Sequence, residues 1–166
     1  MAEIIPVDPF DYIVFGGTGD LARRKLLPAL YHRFVDGQIP DGAQIIGVSR
    51  SDLDDDGYRQ SIDEACRAFL PAGDIDDQAL QNFLTIVHHV SLDALGDGAD
   101  WSGLSALLAD RDRVRVFYMA TAPRLYGDVA QNLDKHGLIT PATRIVLEKP
   151  IGTDLASAKA INDAMG

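Results

Sequence analysis

The sequence predicts an α/β fold: a doubly wound, mainly parallel sheet with helices on both faces. Three observations lead there. Strand-like and helix-like segments alternate along all 166 residues, the pattern of parallel strands joined by crossover helices. The first apolar segment ends in clustered glycines and opens directly into a helical pattern. The residues singled out below for chemistry, Gly16, Arg50, Ala120 and Lys149, all fall at predicted strand ends. Such sheets hold ligands at the carboxyl ends of their strands, at the switch point in strand order.

In chain order, residues 11–15 read as the first strand, an apolar run expected to be buried on both faces. Residues 21–35 read as the first helix, patterned by Leu26, Leu27, Leu30 and Phe34. Pro28 lies inside it, lacks an N–H, and is expected to kink it. Gly37 ends the helix, and Ile39-Pro40-Asp41-Gly42 is a turn. Residues 44–49 form the second strand. Residues 52–69 are a loop followed by a helix, closed by Pro71-Ala72-Gly73. A short helix over 78–84 leads to a third strand over 86–90. Residues 101–108 are helical, and 114–119 form the fourth strand, rich in β-branched and aromatic side chains. A helix over 124–136 ends at Gly137, a fifth strand covers 144–147, and 154–165 begin another helix. There is no internal repeat or low-complexity linker, and 166 residues fit one domain.

The net charge of −10 argues against nonspecific nucleic-acid or anionic-membrane binding. Much of it is local, in Asp52, Asp54, Asp55, Asp56 and in Asp74, Asp76, Asp77. These read as solvated loops and helix starts, not a metal site, because no His or Cys joins them at ligand spacing. The single cysteine, Cys66, excludes an internal disulfide and reads as a small core residue. Residues 1–9 lack a signal-peptide pattern, and no apolar run approaches membrane-spanning length, so the cytoplasm is the expected location.

The chemistry begins at Gly16. Gly17-x-Gly19-x-x-Ala22 fits the Rossmann-type dinucleotide fingerprint with alanine in the last place. A P-loop is excluded, since no Gly-Lys-Ser/Thr ends the turn. Glycines let the backbone approach a phosphate, and the helix N-terminus offers free N–H groups and a positive dipole end. Gly16, Gly17, Thr18, Gly19, Asp20 and Leu21 are therefore candidate cofactor contacts, Thr18 through its hydroxyl or N–H. The Asp20 side chain reads as a helix-start residue favouring the dipole. Arg50 follows the second strand, where NAD-binding chains place Asp or Glu for the ribose 2′-OH. An arginine there suits the 2′-phosphate of NADP, with bidentate donation; the other reading is an exposed loop arginine. Small residues at Ala120 let a nicotinamide ring approach the backbone. His89 and Val90 end the third strand, where adenine-side contacts are expected on position alone. His32, His88, His89 and His136 otherwise read as surface or helix-end residues.

Three segments occur in order: Gly-Gly-Thr-Gly-Asp-Leu-Ala-x-x-Lys-Leu from Gly16, Gly47-Val48-Ser49-Arg50-Ser51, and Glu148-Lys149-Pro150-Ile151-Gly152. Together they resemble the N-terminal part of glucose-6-phosphate dehydrogenases, over nearly the whole chain. The resemblance implies NADP as cofactor, with NAD accepted by some members, and an arginine at position 50. It implies that Lys149 contacts both cofactor and sugar phosphate; without its neighbours, Lys149 would read as a solvent-facing lysine. Lys25 would be a second cation near the reaction centre, against a surface reading beside Arg23 and Arg24. Tyr126 matches a family tyrosine near the cofactor, and reads equally as a core aromatic. The family usually has Ala-Leu-Pro-Pro where this chain has Ala120-Thr121-Ala122-Pro123, so side-chain contacts differ there.

The family's base is a histidine in an Arg-Ile-Asp-His-Tyr-Leu-Gly-Lys-Glu motif, and nothing like it occurs here. No catalytic residue is therefore assigned in this chain. The sequence stops inside a predicted helix, and a substrate and oligomerisation domain is expected to follow. The implied parent is a homo-oligomer that oxidises glucose 6-phosphate to 6-phosphogluconolactone with hydride transfer to NADP, in the pentose phosphate pathway. A short-chain reductase would need Tyr-x-x-x-Lys, which no tyrosine here satisfies. A non-catalytic NADP sensor would account for the missing base but not for Glu-Lys-Pro-x-Gly. The purified 166-residue chain is expected to produce no NADPH from glucose 6-phosphate and NADP; a measurable rise in absorbance at the NADPH band would overturn this.

Overall fold

The structure, a computed structural model, describes residues 8–96 and 100–147. Lys149 and the predicted helix over 154–165 lie outside the described residues. Five strands, β1 (Phe10–Phe15), β2 (Gln44–Ser49), β3 (Val87–Ser91), β4 (Val114–Met119) and β5 (Thr143–Leu147), form one sheet in the order β3-β2-β1-β4-β5. Every pairing is parallel. The chain winds outward from β1 to β3, then returns to β4 on the other side of β1. The switch in strand order therefore lies between β1 and β4. The register keeps the carboxyl ends level: Phe15 is opposite both Val48 and Met119, Ser49 opposite Ser91, and Met119 opposite Leu147.

The helices divide between the two faces, as predicted. On one face, α1 (Leu27–Val35), α2 (Asp55–Phe69) and α3 (Asp77–Leu84) pack Tyr31, Ile62 and Phe83 against Val14, Ile45 and Val87. On the other, α4 (Ser102–Leu107) and α5 (Tyr126–Lys135) pack Leu104, Val129 and Leu133 against Ile13, Ile46 and Phe117. Cys66 is buried in the first cluster, and burial pushes its thiol up to about 12. The acidic runs do start helices. Asp54 accepts the Gly57 N–H at 2.8 Å at the start of α2, and Asp76 accepts the Ala79 N–H at 3.0 Å at the start of α3, both as N-caps. Among the described residues no cluster of acidic, His or Cys side chains has the makings of a metal site, and no helix is long and apolar enough to cross a membrane.

One expectation gains detail and one needs correction. The first helix does depart from regular α geometry beside Pro28. A π-helical turn, Ala22–Leu26, precedes it, with the Leu27 N–H donating to Ala22 O, and Pro28 sits in the first turn of α1. The missing N–H of Pro28 falls where the register changes, so no regular α bond is lost to it. β1 is also less uniformly buried than an apolar run implies. Phe10 and Tyr12 are half-buried, and Asp11 is fully buried.

Asp11 belongs to a polar cluster at the amino edge of the sheet. Gln44 Nε2 donates to it at 2.9 Å, and Arg113 Nη2 lies 3.4 Å away. Burial pushes its carboxyl up, against the pull of Gln44, Arg113 and Arg115. Arg115 is itself fully buried. It donates to Leu138 O at 2.9 Å and to Leu108 O, joining the ends of α4 and α5 to β4. Removing a buried cation would leave those carbonyls unpaired in a dry site. Arg115→Leu is expected to destabilise the fold by about 3 kcal/mol, read as a lowered urea midpoint with an unchanged slope.

Candidate functional site

The loop leaving β1 is pressed onto the sheet. Gly16 has φ +83°, a left-handed conformation that favours glycine. The N–H groups of Gly16 and Gly17 both donate to Val48 O, at 3.0 and 3.1 Å. A Cβ on Gly16 would lie 2.6 Å from Ala120 O, and one on Gly17 would lie 2.8 Å from Gly47 Cα. The Tyr58 ring occupies the space over Gly47, where a Cβ would fall 2.4 Å from the ring. The buried Tyr58 hydroxyl donates to Gly17 O at 2.8 Å, and burial holds its phenol well above the usual range, in the donating form. Gly16 and Gly17 are thus required by the chain's own packing. Gly19 is different: it is exposed on the cleft, so its bare backbone faces whatever binds.

The helix that follows opens with the Arg23 N–H donating to Gly19 O at 3.0 Å. Asp20, Leu21 and Ala22 are then the first helical residues, whose N–H groups have no intrahelical acceptor. Ala22 is fully buried against the sheet, which is the close helix–strand contact that the third fingerprint position serves.

A cleft of about 620 Å³ lies above the β1/β4 switch point. Gly16, Thr18 and Gly19 form its floor, and Ser49, Arg50 and Ser51 one side. Leu92–Leu95 and Thr121–Leu125 supply further walls, with Leu92, Ala94, Leu95 and Leu125 giving apolar surface. Two exposed arginines, Arg50 and Arg124, line it, and Asp93 is the one carboxylate among the described lining residues. That carboxylate accepts the Leu95 N–H at 3.1 Å. Of the turn after β2, Arg50 and Ser51 line the cleft and Asp52 does not.

The structure brings Gly16, Thr18, Gly19 and Arg50 together on this cleft and separates other candidates from it. β3 runs on to Ser91, so the cleft rim is formed by residues after His89 and Val90. His89 turns into the α2 side, 7% exposed, with both ring nitrogens on protein partners. Val90 packs into the opposite core cluster. The surface reading of His88 and His89 is also corrected, since α2 packs over them. His88 Nδ1 lies 3.0 Å from Asp55 Oδ2, so the fold joins a histidine to the acidic run that sequence spacing kept apart. Ala120 stands behind the glycine turn, its N–H donating to Phe15 O at 2.9 Å. Tyr126 is 1% exposed and packs in the core cluster with Val129. Lys25 is exposed on the π-helical turn and does not line the cleft. Lys149 is outside the described residues. Sequence reasoning missed Tyr58, Gly47 and Arg124. Gly47, a glycine inside an apolar strand, is the one available signal, because such a glycine marks close approach of another group.

A 3-2-1-4-5 parallel sheet with a glycine turn at its switch point defines the class: a Rossmann-type dinucleotide domain. The family profile described as glucose-6-phosphate dehydrogenase, NAD binding domain, matches residues 13–166. The chain belongs to that family. It is 51% identical over its whole length to a glucose-6-phosphate 1-dehydrogenase of Gluconobacter oxydans and 48% identical over 99% of its length to one of Rhizobium meliloti. In each case it spans 34% of the relative's length. It superimposes with a TM-score of 0.76 and 30% identity on a solved glucose-6-phosphate dehydrogenase in complex with glucose 6-phosphate, covering all of this chain and 35% of that one. A Mycobacterium avium glucose-6-phosphate 1-dehydrogenase gives a TM-score of 0.79 at 28% identity, over 95% of this chain and 34% of that one.

Tyr58→Phe leaves the Gly17 carbonyl buried without its donor. It is expected to lower stability by about 1–2 kcal/mol and to speed amide exchange in the glycine turn, measurable by hydrogen–deuterium exchange.

Proposed function

We propose that this chain is the coenzyme-binding part of a glucose-6-phosphate 1-dehydrogenase, and that it holds NADP. The observation that carries the reading is the pairing of Thr18 and Gly19, the turn that leads straight into the first helix, with Arg50 on one cleft at the switch point. The residues fit the group. A pyrophosphate needs bare backbone and unpaired N–H donors; Gly19 gives the bare backbone, its own N–H being taken by Gly16 O at 3.0 Å, and Asp20, Leu21 and Ala22 at the helix start give the donors. An adenosine 2′-phosphate needs a forked cation at the end of β2, which is Arg50. The apolar wall of Leu92, Ala94 and Leu95 suits an adenine face, and Thr121 at the β4 end leaves room for a nicotinamide.

Bound NADP supplies the acceptor for a hydride from the sugar. This chain's residues bind and orient: Arg50 and Thr18 hold the adenosine end, the first helix holds the pyrophosphate, and Lys149 and Lys25 are assigned to substrate contact on the family resemblance. Among the described residues no histidine lines the cleft, and the family resemblance assigns the proton acceptor to a histidine motif that these 166 residues do not contain. The relatives' names support the reaction, and their length supports a separate substrate domain.

Titration of the chain with NADP and with NAD, before and after Arg50→Ala, tests the cofactor. A lost charged hydrogen bond is worth about 1.5–3 kcal/mol, or roughly 10- to 100-fold in affinity. NADP binding is expected to weaken by that factor and NAD binding to change less than about twofold. Equal loss for both would end the 2′-phosphate reading.

A further inference from the structure

Behind Arg50 lies a set of hydrogen bonds that ends in a buried imidazole. Ser49 Oγ is 2.8 Å from His89 Nε2, and His89 Nδ1 is 2.9 Å from Leu53 O. A carbonyl oxygen accepts and cannot donate, so Nδ1 carries the ring proton. Nε2 is then a lone pair, and the Ser49 hydroxyl must donate to it. The Ser49 oxygen is left to accept, and it takes the Ser51 N–H at 3.3 Å. Ser91 Oγ donates to Ser51 O at 2.6 Å, and the Leu53 N–H donates to the same carbonyl at 3.0 Å. On the other flank, Ser49 O accepts the Leu92 N–H at 2.8 Å. The main chain is therefore pinned on both sides of Arg50, while the Arg50 side chain stands exposed on the cleft.

His89 is held as firmly as it holds. Its N–H donates to Asp55 Oδ1 at 2.9 Å, and its ring lies 5.0 Å from the Tyr58 ring. Burial favours the neutral ring, against the Leu53 carbonyl and the Asp55 carboxylate. Through Tyr58 the same packing reaches the glycine turn. A forked cation recognises a phosphate only when its backbone is aimed beforehand, and His89 lies buried beneath that backbone, off the cleft lining.

We propose that His89 is a positioning residue for coenzyme selection: by fixing the Ser49 hydroxyl, it sets the Ser49-Arg50-Ser51 turn for a ribose 2′-phosphate. This rests on the NADP reading of the cleft and adds the residue that decides its selectivity. The expected signature is a change in the ratio of NADP to NAD affinity, which a general loss of packing would not produce.

The test is titration of the chain with NADP and NAD for wild type, Ser49→Ala, His89→Leu, His89→Gln and Arg50→Ala. Ser49→Ala deletes one oxygen and leaves His89 packed, so the test survives if His89→Leu does not fold. Ser49→Ala and His89→Leu are each expected to weaken NADP binding about five- to tenfold with NAD changed less than about twofold, a fraction of what losing the Arg50 contact does. Gln keeps an acceptor at the Nε2 position, so His89→Gln is expected to recover most of the ratio. If Arg50→Ala collapses the ratio while Ser49→Ala and His89→Leu leave it at the wild-type value, the positioning role is wrong and the NADP reading stands. If Arg50→Ala also leaves the ratio unchanged, the 2′-phosphate reading falls, and this inference with it.

Discussion

The contact on which the rest of the structure depends is the stack of Gly17, Gly47 and Tyr58. The turn after β1 and the neighbouring strand β2 each give up a side chain, so the turn lies directly on β2 and the Tyr58 ring lies directly on Gly47. The Tyr58 hydroxyl then fixes the Gly17 carbonyl. A side chain at either glycine would meet backbone or a buried ring, neither of which can move away. With the turn held down, Thr18 and Gly19 line the cleft and the first helix starts directly after them.

The two edges of the sheet are used differently. At the carboxyl edge, backbone donors, hydroxyls and two arginines surround an accessible cleft. At the amino edge, Arg115, Asp11 and Gln44 are consumed by the fold, satisfying the ends of helices and each other. Polar residues of similar type are therefore left open to a cleft at one end and used for cohesion at the other. The distinction is burial: Arg115 is wholly enclosed and Arg50 is exposed.

The edge strand β3 illustrates how the acidic runs are used. Its outward backbone groups have no neighbouring strand, and α2 side chains take that place. Asp55 accepts the His89 N–H at 2.9 Å, and Arg59 Nε donates to Val87 O at 2.8 Å. Such cover blunts an edge that would otherwise invite another strand. Burial works against the Asp55 charge, but the His88 and His89 hydrogen bonds outweigh it and hold the carboxyl below its ordinary range. An acidic run that began as a solubility and helix-start feature thus also closes the sheet and anchors His89.

The alternation of apolar strands and amphipathic helices determined the fold class, because parallel pairing with two covered faces is what such alternation permits. The glycine pattern and Arg50 likewise located the cleft, since both act through local backbone position at a strand end. What the sequence left open was every choice made across the sheet. Tyr126 went to the core, His89 and Val90 went behind the rim because β3 starts and ends one residue later than its pattern predicts, and Pro28 follows a π-helical turn. Tyr58 found Gly17 across 41 residues, and His89 found Ser49 across 40. Contacts at such separation depend on strand order and helix face together, and only the folded chain sets both at once.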